Sequence, residues 1–193
     1  MRCLFHIPII HSAADFGSLS ESAKAQYVEQ FDPNAWAHHE RAIEQLWAAI
    51  RQRVDVLNLD YTKVRLYQDG LPVCGFEEKI VREVAEAGSS NHQFLLELID
   101  KGAMLEGTED PQLLIQEYQM QKEQLEAESQ PPATGADRKV QADELLAARD
   151  RFIARRIDET LKAGETGLLF LGALHPLEAI WSTGIEVKEL ANR

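Results

Sequence analysis

Four ionisable residues stand at the ends of short strand-like runs in this chain. His11 follows Cys3 to Ile10, Asp69 follows Thr62 to Tyr67, and Glu106 ends Ala103 to Glu106. His175 follows Gly167 to Leu171 through Gly172-Ala173-Leu174. Two imidazoles and two carboxylates brought together could do either of two kinds of chemistry. His11, Asp69, Glu106 and His175 could ligate a divalent metal such as zinc or manganese, which accept nitrogen and oxygen donors. They could equally run metal-free acid–base catalysis, since imidazoles exchange protons near neutral pH. Each also has a plainer reading. His11 and Asp69 could simply cap turns. The Gly107-Thr108 pair beside Glu106 has little side-chain bulk, which would let a ligand approach the backbone.

A fifth candidate lies in the stretch 138–162, where Leu146, Ile153, Ile157 and Leu161 form an apolar stripe. Arg149 falls on that stripe and Asp150 flanks it. An arginine facing a core must be paired or must meet a ligand, because an unpaired buried charge is costly. It either bridges from helix to sheet edge, with Glu106 as the nearest candidate carboxylate, or offers its guanidinium to an anionic or carbonyl group. Arg151, Arg155 and Arg156 read as a solvated face, and His38 and His39 as exposed. Tyr118 reads as core packing, and His6, inside a strand, as a satisfied core histidine.

These residues can meet only if their runs are neighbouring strands. The first run is short and rich in β-branched or aromatic residues, the second alternates, and Gly167 to Leu171 looks the most buried. Helical stretches of ten or more residues separate the runs, which calls for crossover connections and a parallel sheet. Asp32-Pro33 and Asp110-Pro111 each pair a capping carboxylate with a proline suited to the first helical turn. Ser18 and Glu21 have capping-box spacing. Gly88, Gly102 and Gly164 stop helices at about 76–87, 90–101 and 138–162. Pro8 cannot donate to a ladder, which suggests an edge position or a bulge for the first strand. A last strand is expected near 185–190. The expectation is one α/β domain, with a mostly parallel sheet of four to five strands, helices on both faces, and a flexible loop at about 129–136. Ligands of open parallel sheets bind beyond the carboxyl ends of the strands, where the ionisable residues fall.

Composition narrows the partners. Hydrophobic residues make up 45% of the 193, enough for a core, and the net charge is −12. Such a surface repels phosphate backbones and anionic membranes, so no nucleic acid and no membrane are expected as partners. No apolar run approaches the roughly 18 residues of a membrane span. Cys3 and Cys74 are too few for a disulfide framework or a thiolate zinc site. With no signal-peptide pattern at the start, the expected location is cytoplasmic. Nucleophile elbow, P-loop, dinucleotide fingerprint and His-Glu-x-x-His motif are missing, which removes the common hydrolase, NTPase and dehydrogenase readings.

Arg149-Asp150-Arg151-Phe152-Ile153 followed by Gly167 to His175 resembles the TraB/Tiki, erythromycin-esterase and ChaN-like superfamily. There an Arg-Asp or Arg-Asn helix precedes a strand ending in Gly-x-x-His, matched here by Gly172-Ala173-Leu174-His175. Ile10-His11 and Leu105-Glu106 look like the superfamily's other His and Glu positions, although Pro8-Ile9-Ile10-His11 stands where Gly-Thr-x-His is usual. The resemblance implies an α/β fold with its site at the strand ends. Its members include metal-dependent peptidases, metal-independent esterases and a haem binder.

The leading expectation is a small hydrolase-like enzyme acting on a small molecule or peptide. His11 and His175 would be metal ligands or acid–base groups, Glu106 a general base or ligand, and Arg149 the stabiliser of a developing oxyanion. The alternatives are a non-catalytic binding or regulatory protein acting through a protein partner, and a carrier of haem or another small ligand.

Overall fold

The computed structural model describes residues 1–12, 15, 20–30, 33–127, 135–172, 175, 181 and 184–190. Five strands form one sheet: β1 (Arg2–Ile9), β2 (Val64–Gln68), β3 (Met104–Glu106), β4 (Thr166–Gly172) and β5 (Ile185–Glu189). Their order is β3-β2-β4-β1-β5, and every pairing is parallel. The helices are α1 (Ser20–Gln30), α2 (Pro33–Val56), α3 (Glu77–Glu86), α4 (Ser90–Asp100), α5 (Pro111–Ala127) and α6 (Gly135–Thr160). Ser18, Asp32 and most of the 129–136 loop lie outside the described residues; Gly135 opens α6, earlier than the sequence suggests. Among the described residues no helix is long and apolar enough to cross a membrane.

Alternation along the strands sorts side chains to two faces. Ile7, Ile9, Val64, Leu66, Leu168 and Phe170 meet α2, α3 and α4 on one face. Leu4, Tyr67, Leu169 and Leu171 meet Ile153, Ile157 and Leu161 of α6 on the other. The steps of three, four and seven in α2 are what bring Ile43, Trp47, Ile50 and Val54 into the first cluster. Phe170 is its centre, 6.1 Å from the ring of Trp47 and 6.1 Å from that of Phe94. Phe170→Ala is expected to cost about 3–5 kcal/mol, read from urea denaturation. Gly88 and Gly102, with φ of 102° and 107°, end α3 and α4 in the left-handed region that only glycine enters cheaply.

Pro8 sits in an interior strand, contrary to the edge or bulge expected. The ladder explains why this is tolerated. The His6 carbonyl accepts from the Leu190 N–H, so even-numbered residues of β1 turn their backbone polar groups toward β5. Pro8 therefore faces the β5 side, where pairing has ended at His6 with Glu189, and the bonds to β4 are unaffected.

Chain direction creates a crevice around β4. The connections leaving β1 and β2 pass to the α2–α4 face, while β3 leads to α5 and α6. Beyond β4, Trp181 packs into the α6 cluster. β4 thus lies between two strands whose continuations leave on the opposite side, the arrangement that opens a binding crevice at the carboxyl edge.

Candidate functional site at the carboxyl edge of the sheet

Asp69 follows β2 directly and its backbone N–H still bonds the Phe170 carbonyl of β4 (2.9 Å), which fixes the carboxylate beside the end of that strand. Its Oδ2 accepts the Gly172 N–H at 2.8 Å and lies 3.2 Å from His11 Nε2. Its Oδ1 accepts from Arg149 Nη2 at 2.9 Å. His175 Nε2 stands 3.7 Å from the same Oδ2. His11, Asp69, Arg149 and His175 therefore meet, as the strand-end reading expects. They line one cavity of about 840 Å³, a size suited to a small molecule.

Glu106 does not join them. It pairs in register with Tyr67, two residues before Asp69, so its side chain stays on the α6 face. There it bonds Arg65, and Arg156 Nη2 reaches it at 3.1 Å. Arg156, expected on a solvated face, is thus a structural partner. Glu109, three residues on, takes the place expected of Glu106. After β3 the chain runs on in parallel beside the continuation of β2, where the N–H groups of Thr108 and Glu109 both bond the Leu71 carbonyl and Glu109 bridges Pro72. Gly107 makes that close approach possible, since a Cβ there would lie 2.8 Å from Val73 Cα and 3.0 Å from the Pro72 carbonyl. The small residue admits protein backbone where a ligand was expected.

Arg149 is the hub. Nε and Nη2 grip Glu109 at 2.6 and 2.7 Å, and Nη1 donates to Glu117 of α5 at 2.5 Å. The bridge from helix to sheet edge is present, with Glu109, Asp69 and Glu117 as its carboxylates in place of Glu106. Burial works against the guanidinium charge, but Glu109, Glu117 and Asp69 outweigh it and hold the group above its ordinary value. With its donors committed to carboxylates, Arg149 has little capacity left for the oxyanion role expected of it.

Burial opposes the charge of Asp69 as well. The His11 hydrogen bond and the positive groups around it prevail and keep its carboxyl well below the usual range. Glu109 goes the other way: burial raises it, Arg149 only partly offsets this, and the Asp69 charge adds to the rise. Burial pulls His11 down, and the hydrogen bond and charge of Asp69 more than compensate, so its pKa is raised. Such a histidine contributes stability that is fully present below its unfolded value and lost as pH rises through the higher folded value. His11→Gln should therefore cost more stability at pH 6 than at pH 8.5. Urea midpoints of wild type and variant at the two pH values would show it, and an equal cost at both would contradict it.

His175 is held from the far side. Asp150, which flanks Arg149 on α6, lies 2.5 Å from His175 Nδ1. A carboxylate accepts only, so the proton of a neutral ring is assigned to Nδ1 and Nε2 is left as the basic nitrogen. A second dyad lies on the opposite wall. Asp15 Oδ1 is 3.2 Å from His92 Nδ1 and accepts the Ser89 hydroxyl at 2.7 Å. Ser12 adds its backbone N–H at 2.6 Å and its hydroxyl at 2.9 Å to Asp15 Oδ2. Four of the six histidines, His11, His39, His92 and His175, line the cavity. His39 is half-buried against Tyr27 and Trp36, where exposure was expected. Tyr118 is 43% exposed at the cavity rim, where core packing was expected. Among the described residues His6 Nε2 is buried without a hydrogen-bond partner, contrary to the satisfied core histidine expected.

Among the described residues no group of three or more His, Cys, Asp or Glu side chains is arranged to hold a metal ion. The expected set of His11, Asp69, Glu106 and His175 is not assembled, because Glu106 faces elsewhere. Both oxygens of Asp69 are already engaged, and the Arg149 guanidinium supplies the positive charge that a cation would bring. The donor set does not fit a metal. No protein family, no curated protein and no solved structure matches this chain.

Proposed function

We propose that this chain is a hydrolase-like enzyme that works by metal-free acid–base chemistry at the carboxyl edge of its sheet. The observation that carries the reading is His175, its Nδ1 tied to Asp150 at 2.5 Å, among His11, Asp69 and Arg149 on the floor of one cavity. His175 Nε2 takes a proton from water as the oxygen attacks a carbonyl carbon. Asp150 fixes the ring and stabilises the imidazolium that forms. Asp69, anchored by Arg149 and the Gly172 N–H, holds His11, whose positive charge sits beside the developing oxyanion. Ile9, Ile80, Val84, Leu114 and Leu146 line the cavity above this floor, which favours an ester with an apolar acyl chain. The resemblance of Gly172 to His175 and of Ile10-His11 to the esterase-containing superfamily points the same way.

The test is turnover of p-nitrophenyl butyrate by protein treated with a chelator and dialysed. Hydrolysis above the buffer rate, unchanged by chelation, is expected. No turnover, or turnover abolished by chelation and restored by added zinc, would overturn the reading. The apolar walls also favour a second reading, a small-ligand binding protein without turnover; butyrate-ester binding by calorimetry with no hydrolysis would select it.

A further inference from the structure

The second dyad has the same form as the first. Asp15 meets His92 Nδ1 on the α4 wall as Asp150 meets His175 Nδ1 on the α6 wall, and both rings line the same cavity. In each, engagement of Nδ1 leaves Nε2 as the ring nitrogen that can exchange a proton. Ser89 makes the second pair a triad: its hydroxyl donates to Asp15, its oxygen lies 2.9 Å from His92 Nδ1, and it accepts the His92 backbone N–H at 3.3 Å, capping α4. Asp15 is an anion in this setting. Burial opposes its charge, but hydrogen bonds from His92, Ser89 and Ser12 outweigh it and depress its pKa. The side chain of His92 is only 9% exposed and that of Asp15 only 5%. A carboxylate–imidazole cluster buried this far and open to a cavity is a pattern of reaction sites more than of solvated surfaces.

We infer that His92, oriented by Asp15, is a second catalytic residue of the cavity and the general acid that protonates the leaving group of an ester substrate. The inference rests on the hydrolase reading. His175 Nε2 removes one proton from water, and the resulting hydroxide forms the new C–O bond. The bond from carbonyl carbon to alkoxide oxygen breaks, and His92, which enters the step as an imidazolium paired with the Asp15 carboxylate, gives that alkoxide its Nε2 proton and is left neutral with its proton on Nδ1. The products are a carboxylic acid and an alcohol. His175 is left protonated and His92 deprotonated, and solvent exchange resets both. Two histidines on opposite walls thus divide the tasks of base and acid, so the alcohol portion of the substrate lies toward α4 and the water toward α6.

A leaving-group comparison tests this. An alkyl alkoxide needs a proton to depart, whereas p-nitrophenolate departs readily without one. His92→Gln is expected to lower kcat/KM for ethyl butyrate by about 10²–10⁴, and far less for p-nitrophenyl butyrate. Asp15→Asn should show the same split more weakly, and its folding can be checked by its melting temperature if the His92 variant is unstable. Equal losses on both esters, or no loss on ethyl butyrate, would overturn the assignment while the hydrolase reading stands. A wild-type protein that hydrolyses neither ester would overturn both together.

Discussion

Replacing Arg149 by methionine is expected to remove about 3–5 kcal/mol of stability. The side chain of Glu109 is fully buried and that of Asp69 is 5% exposed, and both depend on the Arg149 guanidinium. Removing it leaves two carboxylates desolvated beside each other. The loss should shrink when the second charge is removed too. In the Arg149→Met background, Glu109→Gln is expected to restore part of the stability, with a coupling energy in the range of about 0.5–3 kcal/mol. Glu106 provides the contrast. It belongs to the Arg65 and Arg156 network, so Glu106→Gln should add to Arg149→Met within about 0.5 kcal/mol. Urea denaturation of the two double-mutant cycles would measure both. Strong coupling of Arg149 to Glu106 and none to Glu109 would contradict the observed pairing.

Gly172→Ala is expected to be the most damaging small-to-large change at the site. A Cβ at this position would stand 2.8 Å from Asp69 Oδ2 and 3.3 Å from His11 Nε2. Asp69 cannot retreat, because Arg149 holds its other oxygen and Gly172 itself donates to this one. The expected cost is about 1–3 kcal/mol from overpacking, accompanied by loss of ester hydrolysis as Asp69 and His11 separate. Gly167→Ala is the comparison. Its Cβ would meet Leu4 Cδ1 at 2.5 Å, the end of a flexible side chain remote from Asp69. It should lower the melting temperature yet leave turnover per folded molecule near wild type. A Gly172→Ala protein with full activity would show that the close approach of strand end to carboxylate is dispensable.

The sheet was legible because its signals are local. Short apolar runs, helical stripes and glycine stops each depend on neighbouring residues, and the described strands and α-helices fall close to where those signals put them. His11, Asp69, Arg149 and His175 were legible for the same reason, since a strand end or a helical stripe places each of them. Glu106 misled because the three-residue strand β3 ends in register with Tyr67, one alternation short of the edge. Only the bonding of Thr108 and Glu109 to the Leu71 carbonyl, beyond the end of β3, shows which glutamate reaches Arg149. Asp15 and His92 could not be paired from sequence. Their contact joins the loop after β1 to the start of α4, 77 residues apart and governed by no local period. The capping serine Ser89, three residues before His92, is the single local sign that the ring lies at a helix start facing the strand ends.

The most direct measurement is kcat/KM for p-nitrophenyl butyrate in His175→Asn beside its melting temperature. Asparagine keeps a polar side chain next to Asp150 but has no group that can take a proton from water. A fall of about 10²–10⁴ in kcat/KM is expected, with the melting temperature nearly unchanged. Undiminished turnover, or a loss that follows a drop in folded protein, would contradict it.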